Sequence, residues 1–312
     1  MKKLFSVLAL LVVAAMLLTA CGGGGAAKEV TVGSKNFTEQ YLLGWMSVLA
    51  LEDAGFTVNN RVDLGGTMVN REALEAGEID LYWEYTGTAL LTHLGHEEAI
   101  TDPEECYQVV KEEDQANGII WLDYAPFNNT YTLMMTKAAG EEYGISKISD
   151  LGKLLEENPD AILCSDEEWT VRPDGYPALQ DQYGFAFKEE NVKTMEIGVT
   201  YKALRDGECD VAMGFATDGR IAAWDLFNLE DDKQFFPVYN PAPNVREEVV
   251  SDDLKAALNP VAHALDTETM TYLNSLVDVG EDGELDTGDE QDPEDVACNF
   301  LMENGLIESC GG

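Results

Sequence analysis

The residues of this chain best suited to chemistry are aromatic rings and a few cations. Tyr85, Tyr131, Phe215 and Tyr239 each stand where a short apolar run ends or where the chain passes between two α/β units. The face of an aromatic ring is electron-rich, so several rings around one point attract a quaternary ammonium. Each contributes about 0.5–2 kcal/mol, more as water is excluded. A trimethylammonium group has no hydrogen-bond donor to satisfy, which suits it to ring faces better than to a carboxylate. Lys35 and Arg172 are two of only 19 basic residues, each in a turn beside a predicted strand end. With the Thr88 hydroxyl they offer charge-assisted bonds to a carboxylate. Together the set fits a betaine-like zwitterion. Taken singly, each ring reads as core and each cation as half of a surface ion pair; Phe235-Phe236 reads as core outright.

Enzymatic patterns are missing from the sequence. The three histidines are His93, His96 and His263; His93-x-x-His96-Glu97 is not the HExxH order and reads as a surface pair. There is no Gly-x-Ser-x-Gly elbow, phosphate loop or dinucleotide fingerprint. No metal site or cofactor is expected. Acidic pairs such as Asp231-Asp232 are too common to mark general acid–base work, because Asp and Glu number 59 and the net charge is −40. That charge excludes nucleic acid as a partner. It reads as a solvated acidic surface, so selectivity must come from a local site.

The elements that must place the rings repeat. Ala73-Leu74-x-x-Gly77-Glu78-x-Asp80 returns 130 positions later as Ala203-Leu204-x-x-Gly207-Glu208-x-Asp210, and in that register Tyr85 falls on Phe215. Each copy predicts a helix end, a glycine stop and a short apolar strand carrying a ring at its C-terminal end. Strands alternate with helices from Glu29 onward, which predicts a parallel-type α/β sheet with ligands beyond the C-terminal strand ends. Thr38 reads as the N-cap of a helix running to about Ala54, with Glu39 in its first turn. Asn128–Met135 and Asp231–Tyr239 read as two crossings between lobes, and two crossings make a hinge. The expected organisation is one lobe from 29–130 and 237–312 and another from 131–236. After the second crossing the chain reads as helical, except for an acidic surface loop over Gly280–Asp295.

Residues 1–21 read as an export signal: Lys2-Lys3, an apolar run from Leu4 to Leu18, then Leu18-Thr19-Ala20-Cys21. That ending resembles the bacterial lipobox, which makes Cys21 the expected lipidation site, with 22–28 as a flexible tether. Export permits disulfides. Cys298 with Cys310 and Cys164 with Cys209 are candidate pairs; the odd number after Cys21 leaves at least one thiol unpaired or bridged between molecules.

Several motifs together resemble one family. They are Gly33-Ser34-Lys35-x-Phe37-Thr38-Glu39-Gln40, Glu84-Tyr85-Thr86-Gly87-Thr88, Asn129-Thr130-Tyr131, Arg172-x-Asp174-Gly175, Thr217-Asp218-Gly219-Arg220-Ile221 and Asp231-Asp232-Lys233-x-Phe235-Phe236-Pro237-x-Tyr239. They look like the substrate-binding lipoproteins of osmoprotectant ABC importers, the glycine betaine/carnitine/choline-binding ProX and OpuC type. The resemblance covers nearly all the mature chain. It implies a type II periplasmic-binding-protein fold of two lobes closing on a ligand cleft. It also implies a lipid anchor on the extracytoplasmic face and delivery to a permease with its ATPase. The family's ring box falls on Tyr85, Tyr131, Phe215 and Tyr239, and its carboxylate donors on Lys35, Thr88 and Arg172. The backbone carbonyl that touches the ammonium methyls falls on Asn129, and Tyr107 is a further candidate. Relatives usually carry tyrosine where this chain has Phe215. With Lys35 and Arg172 both present, glycine betaine, proline betaine or carnitine is expected over choline. Three other readings stay open: a receptor for choline, ectoine or an amino acid; an exported hydrolase of quaternary-amine esters; and a sensor serving a signalling partner.

Overall fold

The computed structural model describes residues 28–172, 175–280 and 289–310. The expected export signal and Cys21 lie outside the described residues. Two five-stranded sheets organise the chain. Across the first lie β2 (Phe56–Arg61), β1 (Lys28–Gly33), β3 (Leu81–Tyr85), β10 (Pro241–Arg246) and β4 (Ile119–Trp121). Across the second lie β7 (Val192–Thr194), β6 (Leu163–Ser165), β8 (Val211–Phe215), β5 (Tyr131–Thr136) and β9 (Leu226–Asn228).

The sheets are mixed, which corrects the parallel-type expectation. β1 runs parallel to β2 and β3, and β6 parallel to β7 and β8. β10 lies antiparallel between β3 and β4, and β5 antiparallel between β8 and β9. In both lobes the antiparallel strand is the one that follows a crossing. It arrives through a short link rather than a helical crossover, and so cannot pair in parallel. β10 also replaces helix where the sequence reading had none but helices.

The repeated motif builds the same local structure twice. Gly77 and Gly207 close their helices at φ 73° and 76°, where a side chain would be strained. The next amides, of Glu78 and Glu208, reach back to the Ala73 and Ala203 carbonyls at 2.8 Å each. Asp80 then accepts from Thr31 N–H at 2.9 Å, and Asp210 from Ile162 N–H at 2.7 Å, which locks each ring-bearing strand to its parallel neighbour.

The helix Thr38–Asp53 is the spine of the first lobe. Leu42, Leu43, Met46 and Leu51 are fully buried, and it packs against the C-terminal helices Asp252–His263, Thr267–Asp278 and Pro293–Glu303. Apolar residues on most of its faces fit a helix surrounded by protein. Its N-cap position is Phe37, not Thr38; the Thr38 hydroxyl instead donates to Asp278 at 2.6 Å. The last of the three helices starts at Pro293, inside the segment expected to be a loop, with Asp292 capping it; residues 281–288 lie outside the described residues.

Disulfides join Cys164 to Cys209 and Cys298 to Cys310, with Cα atoms 5.9 and 5.6 Å apart, while Cys106 is a buried free thiol. Among the described residues, no helix is long and apolar enough to cross a membrane.

The two crossings run side by side. Asn129 N–H donates to the Tyr239 carbonyl at 3.1 Å, Tyr239 N–H to Asn128 Oδ1 at 2.8 Å, and Asn240 Nδ2 to the Phe127 carbonyl at 2.7 Å. The crossings are thus tied to each other, and the rings they carry are held next to each other.

Candidate functional site

Between the sheets lies a cleft of about 750 Å³. Tyr85 enters it from the end of β3, Phe215 from the end of β8, Tyr131 from the start of β5 and Tyr239 from the return crossing. Tyr131 is the centre of the group: its ring centroid is 5.4 Å from Phe215 and 5.3 Å from Tyr239, the latter edge-on. Strand pairing sets the first contact, because Tyr131 and Phe215 are register partners. The turn at Gly87 sets the position of Tyr239. A Cβ there would come within 2.7 Å of the Val238 carbonyl and 2.9 Å of the Tyr239 ring, so only glycine permits the approach. Phe37, which the sequence reading did not select, stacks over Tyr85 at 6.3 Å and tilts against Phe215 at 4.9 Å.

Lys35, Thr88 and Asn129 also line the cleft. Arg172 stands at its edge, with its guanidinium carbon 5.4 Å above the Tyr131 ring and its Nη atoms 3.4 Å from the hydroxyls of Thr67 and Thr88. The structure therefore gathers eight of the sequence-derived residues. Tyr107 is not among them. Its hydroxyl donates to the Leu122 carbonyl at 2.7 Å and its ring packs on Tyr124, in a separate core of the first lobe.

The two cations among the expected carboxylate donors already face acids. Lys35 Nζ is 2.6 Å from the fully buried Glu84, and Arg172 Nη1 is 3.0 Å from Glu168. Glu84 also accepts from Tyr82 OH at 2.9 Å and lies 3.0 Å from His93 Nε2. Burial alone would raise the Glu84 carboxyl, but Lys35 and His93 outweigh it and hold it far below the usual range. This corrects the reading of His93-x-x-His96 as a surface pair: the His93 side chain is buried against Glu84, while His96 lies at the surface with Glu113.

Two acidic clusters join the lobes. Glu39 accepts from Tyr85 OH at 2.7 Å, Asn129 Nδ2 at 2.8 Å, Thr217 Oγ1 at 2.6 Å and Asn274 Nδ2 at 3.2 Å. Burial pushes its carboxyl upward against those four bonds. Elsewhere on the lining of the same cleft, Arg220 is 2.9 Å from Asp218 and 2.7 Å from Asp278. Burial first, then the Asp218 charge, pushes Asp278 up to about 7. Sequence reasoning took Glu39 for a helix-start acid and did not single out Asp278. Their partners are 46 to 240 positions away in the chain, beyond the reach of a local pattern.

A profile of the family described as OpuAC, substrate binding domain of ABC-type glycine betaine transport system, matches residues 28–303. The glycine-betaine-binding protein of Pseudomonas aeruginosa is 35% identical over 90% of each chain. The carnitine transport binding protein OpuCC of Listeria monocytogenes is 34% identical, over 89% of this chain and 88% of its own. A crystal structure titled glycine betaine/carnitine/choline ABC transporter superposes with a TM-score of 0.69 at 30% identity, covering 89% of this chain and 99% of that one. With this fold, and with rings from both lobes meeting in one cleft, the chain belongs to the family of substrate-binding domains of ABC-type glycine betaine transport systems.

Proposed function

We propose that this protein is an extracytoplasmic receptor that captures a quaternary-ammonium solute between its lobes and delivers it to an ABC permease. The observation that carries the reading is the meeting of Tyr85, Tyr131, Phe215 and Tyr239 in the interlobe cleft. The ligands named for the relatives differ at one end only; glycine betaine, carnitine and choline share the trimethylammonium head, which is the group that ring faces hold.

In this reading 29–130 with 237–312 is one jaw and 131–236 the other, hinged on the paired crossings. The rings take the ammonium, the Asn129 carbonyl touches its methyls, and Lys35, Thr88 and Arg172 take a carboxylate. A ligand stabilises the closed state because only there do both jaws contribute contacts; one that gripped a single jaw would shift nothing. The preferred ligand is a carboxylated quaternary amine. The chain carries out no reaction, and ATP hydrolysis belongs to the permease's partner subunits. Cys21 tethers the mature protein to the membrane.

Calorimetric titration of the protein lacking residues 1–21 with glycine betaine, carnitine, choline and proline tests this. Binding of the quaternary amines without proline supports it. Proline or another amine bearing N–H donors binding tightest would overturn the ring-box argument.

A further inference from the structure

Among the described residues, three carboxylates at the heart of the fold have a cation beside them. Glu84 has Lys35 at 2.6 Å, Asp114 has Arg71 at 2.6 Å, and Asp278 has Arg220 at 2.7 Å. Glu39 is different. It is 2% exposed, lines the cleft, and its four hydrogen-bond partners are two asparagines, a threonine and a tyrosine. A buried charge without an opposite charge is costly, and proteins rarely leave one uncompensated.

The geometry is nevertheless that of the ionised form. A carboxylate offers about four acceptor positions and no donor. Here Oε1 receives Tyr85 OH and Asn129 Nδ2, while Oε2 receives Thr217 Oγ1 and Asn274 Nδ2, which fills all four. A proton on either oxygen would displace one of these donors. Glu39 also lies in the first turn of the 16-residue helix Thr38–Asp53, where the helix dipole favours an anion. The Tyr85 phenol stays protonated as the donor, because burial and the Glu39 charge both oppose its ionisation.

Its partners are also the segments that hold the rings. Tyr85 is itself one ring, Asn129 stands two residues before Tyr131, and Thr217 two residues after Phe215. A single carboxylate therefore fixes three of the four rings and spans both lobes.

We infer that Glu39 is the counter-anion of the bound quaternary ammonium, acting through the Tyr85 hydrogen bond and through space, and that it selects a cation over an uncharged group of the same shape. This rests on the receptor reading above and deepens it. The carboxylate draws the Tyr85 proton toward itself and enriches that ring in electrons, which strengthens its attraction for a cation and does nothing for a neutral tert-butyl group. The missing positive charge is thus supplied by the ligand at the moment of closure.

The test uses two ligands that differ only at the head: glycine betaine, and 3,3-dimethylbutanoate, which keeps the carboxylate and replaces N⁺ by carbon. Affinities are measured by titration, and by competition for the weaker ligand, in wild type, Glu39→Gln and Tyr85→Phe. Glu39→Gln is expected to cut the preference for glycine betaine about tenfold, with Tyr85→Phe part-way between. Equal loss for both ligands in the variants would make Glu39 a scaffold residue and overturn the inference. If Glu39→Gln fails to fold, an unchanged preference in Tyr85→Phe overturns it alone. Wild type binding neither ligand would overturn the receptor reading and the inference with it, an outcome distinct from a bound ligand with an unmoved preference.

Discussion

The ends of β3 and β8 are the same device built twice with different chemistry. Both follow a left-handed glycine and a strand-locking aspartate, and both present a ring to the cleft. In the first lobe the residue before the ring is Glu84, buried and ion-paired with Lys35, and the ring's own phenol donates to Glu39. In the second it is Gly214, where a Cβ would come within 2.7 Å of the Tyr201 ring and hydroxyl. Tyr201 OH accepts the Phe215 N–H at 2.7 Å, and the ring lies on an apolar bed. The turns after the rings diverge likewise. Thr86 stays with the return crossing and Thr88 meets Arg172 of the second lobe, while Thr217 reaches across to Glu39 and Arg220, held by Asp218 of its own lobe, reaches across to Asp278. Beside the rings themselves, the first lobe thus holds a fixed buried charge and the second an apolar face, and Thr217 and Arg220 of the second lobe add clasps onto the first. Duplicated scaffolds need not share the work equally.

The largest effect expected from this asymmetry is on stability at the matched pair of positions. Glu84→Gln leaves Lys35 buried without its anion and should lower unfolding free energy by about 3–5 kcal/mol. Chemical denaturation measures it, and a loss no larger than that of Gly214→Ala would remove the distinction between the lobes. Gly214→Ala itself overpacks against Tyr201 and should cost about 1–3 kcal/mol.

In ligand affinity the first-lobe ring should matter more. Tyr85→Ala removes a ring and leaves Glu39 short of a donor, so glycine betaine should bind about a hundredfold more weakly; Phe215→Ala removes only a ring, for about tenfold. Equal losses by titration would contradict the assignment of charge to one side.

The clasp brings a pH dependence. Asp278 has an ordinary value of 3.8 and is pushed up to about 7 where the lobes meet, so opening, which returns it to water, should release a proton that the closed state holds. Closure is therefore favoured most at low pH and loses that support as pH rises through about 7. Fluorescence transfer between labels on the two lobes, without ligand, should show the closed fraction falling between about pH 4 and 7 and levelling off above that. Asp278→Asn should flatten that slope; an unchanged slope would place the titration elsewhere. The smallest effect is expected for Phe215→Tyr, which restores a phenol on the apolar side with no acid beside it and should leave affinity within about threefold.

Much of this pairing was legible in the sequence. The Ala-Leu-x-x-Gly-Glu-x-Asp repeat encodes contacts made within a few residues, such as the Gly77 and Gly207 turns, so the matching of Tyr85 with Phe215 could be read directly. β10 could not. Pro241 and Pro243 argue against a central strand, yet both use only their carbonyls toward the neighbouring segment, accepting from Ala125 and Leu122 N–H. Nor could the pairing of charge. In a chain with 59 acids, nothing local says that Lys35 chooses Glu84, that Arg172 chooses Glu168, or that Glu39 is left with neutral partners. Tyr107 shows the converse: a ring carried over by resemblance alone was folded away against Tyr124.

The central claim is that rings from both lobes close around one quaternary ammonium. A crystal structure with glycine betaine bound tests it most directly. The ligand nitrogen should lie within about 6 Å of the ring centroids of Tyr85, Tyr131, Phe215 and Tyr239. A nitrogen seated instead against the acidic side chains of Glu167 and Glu196 on the cleft wall, away from the rings, would contradict the account.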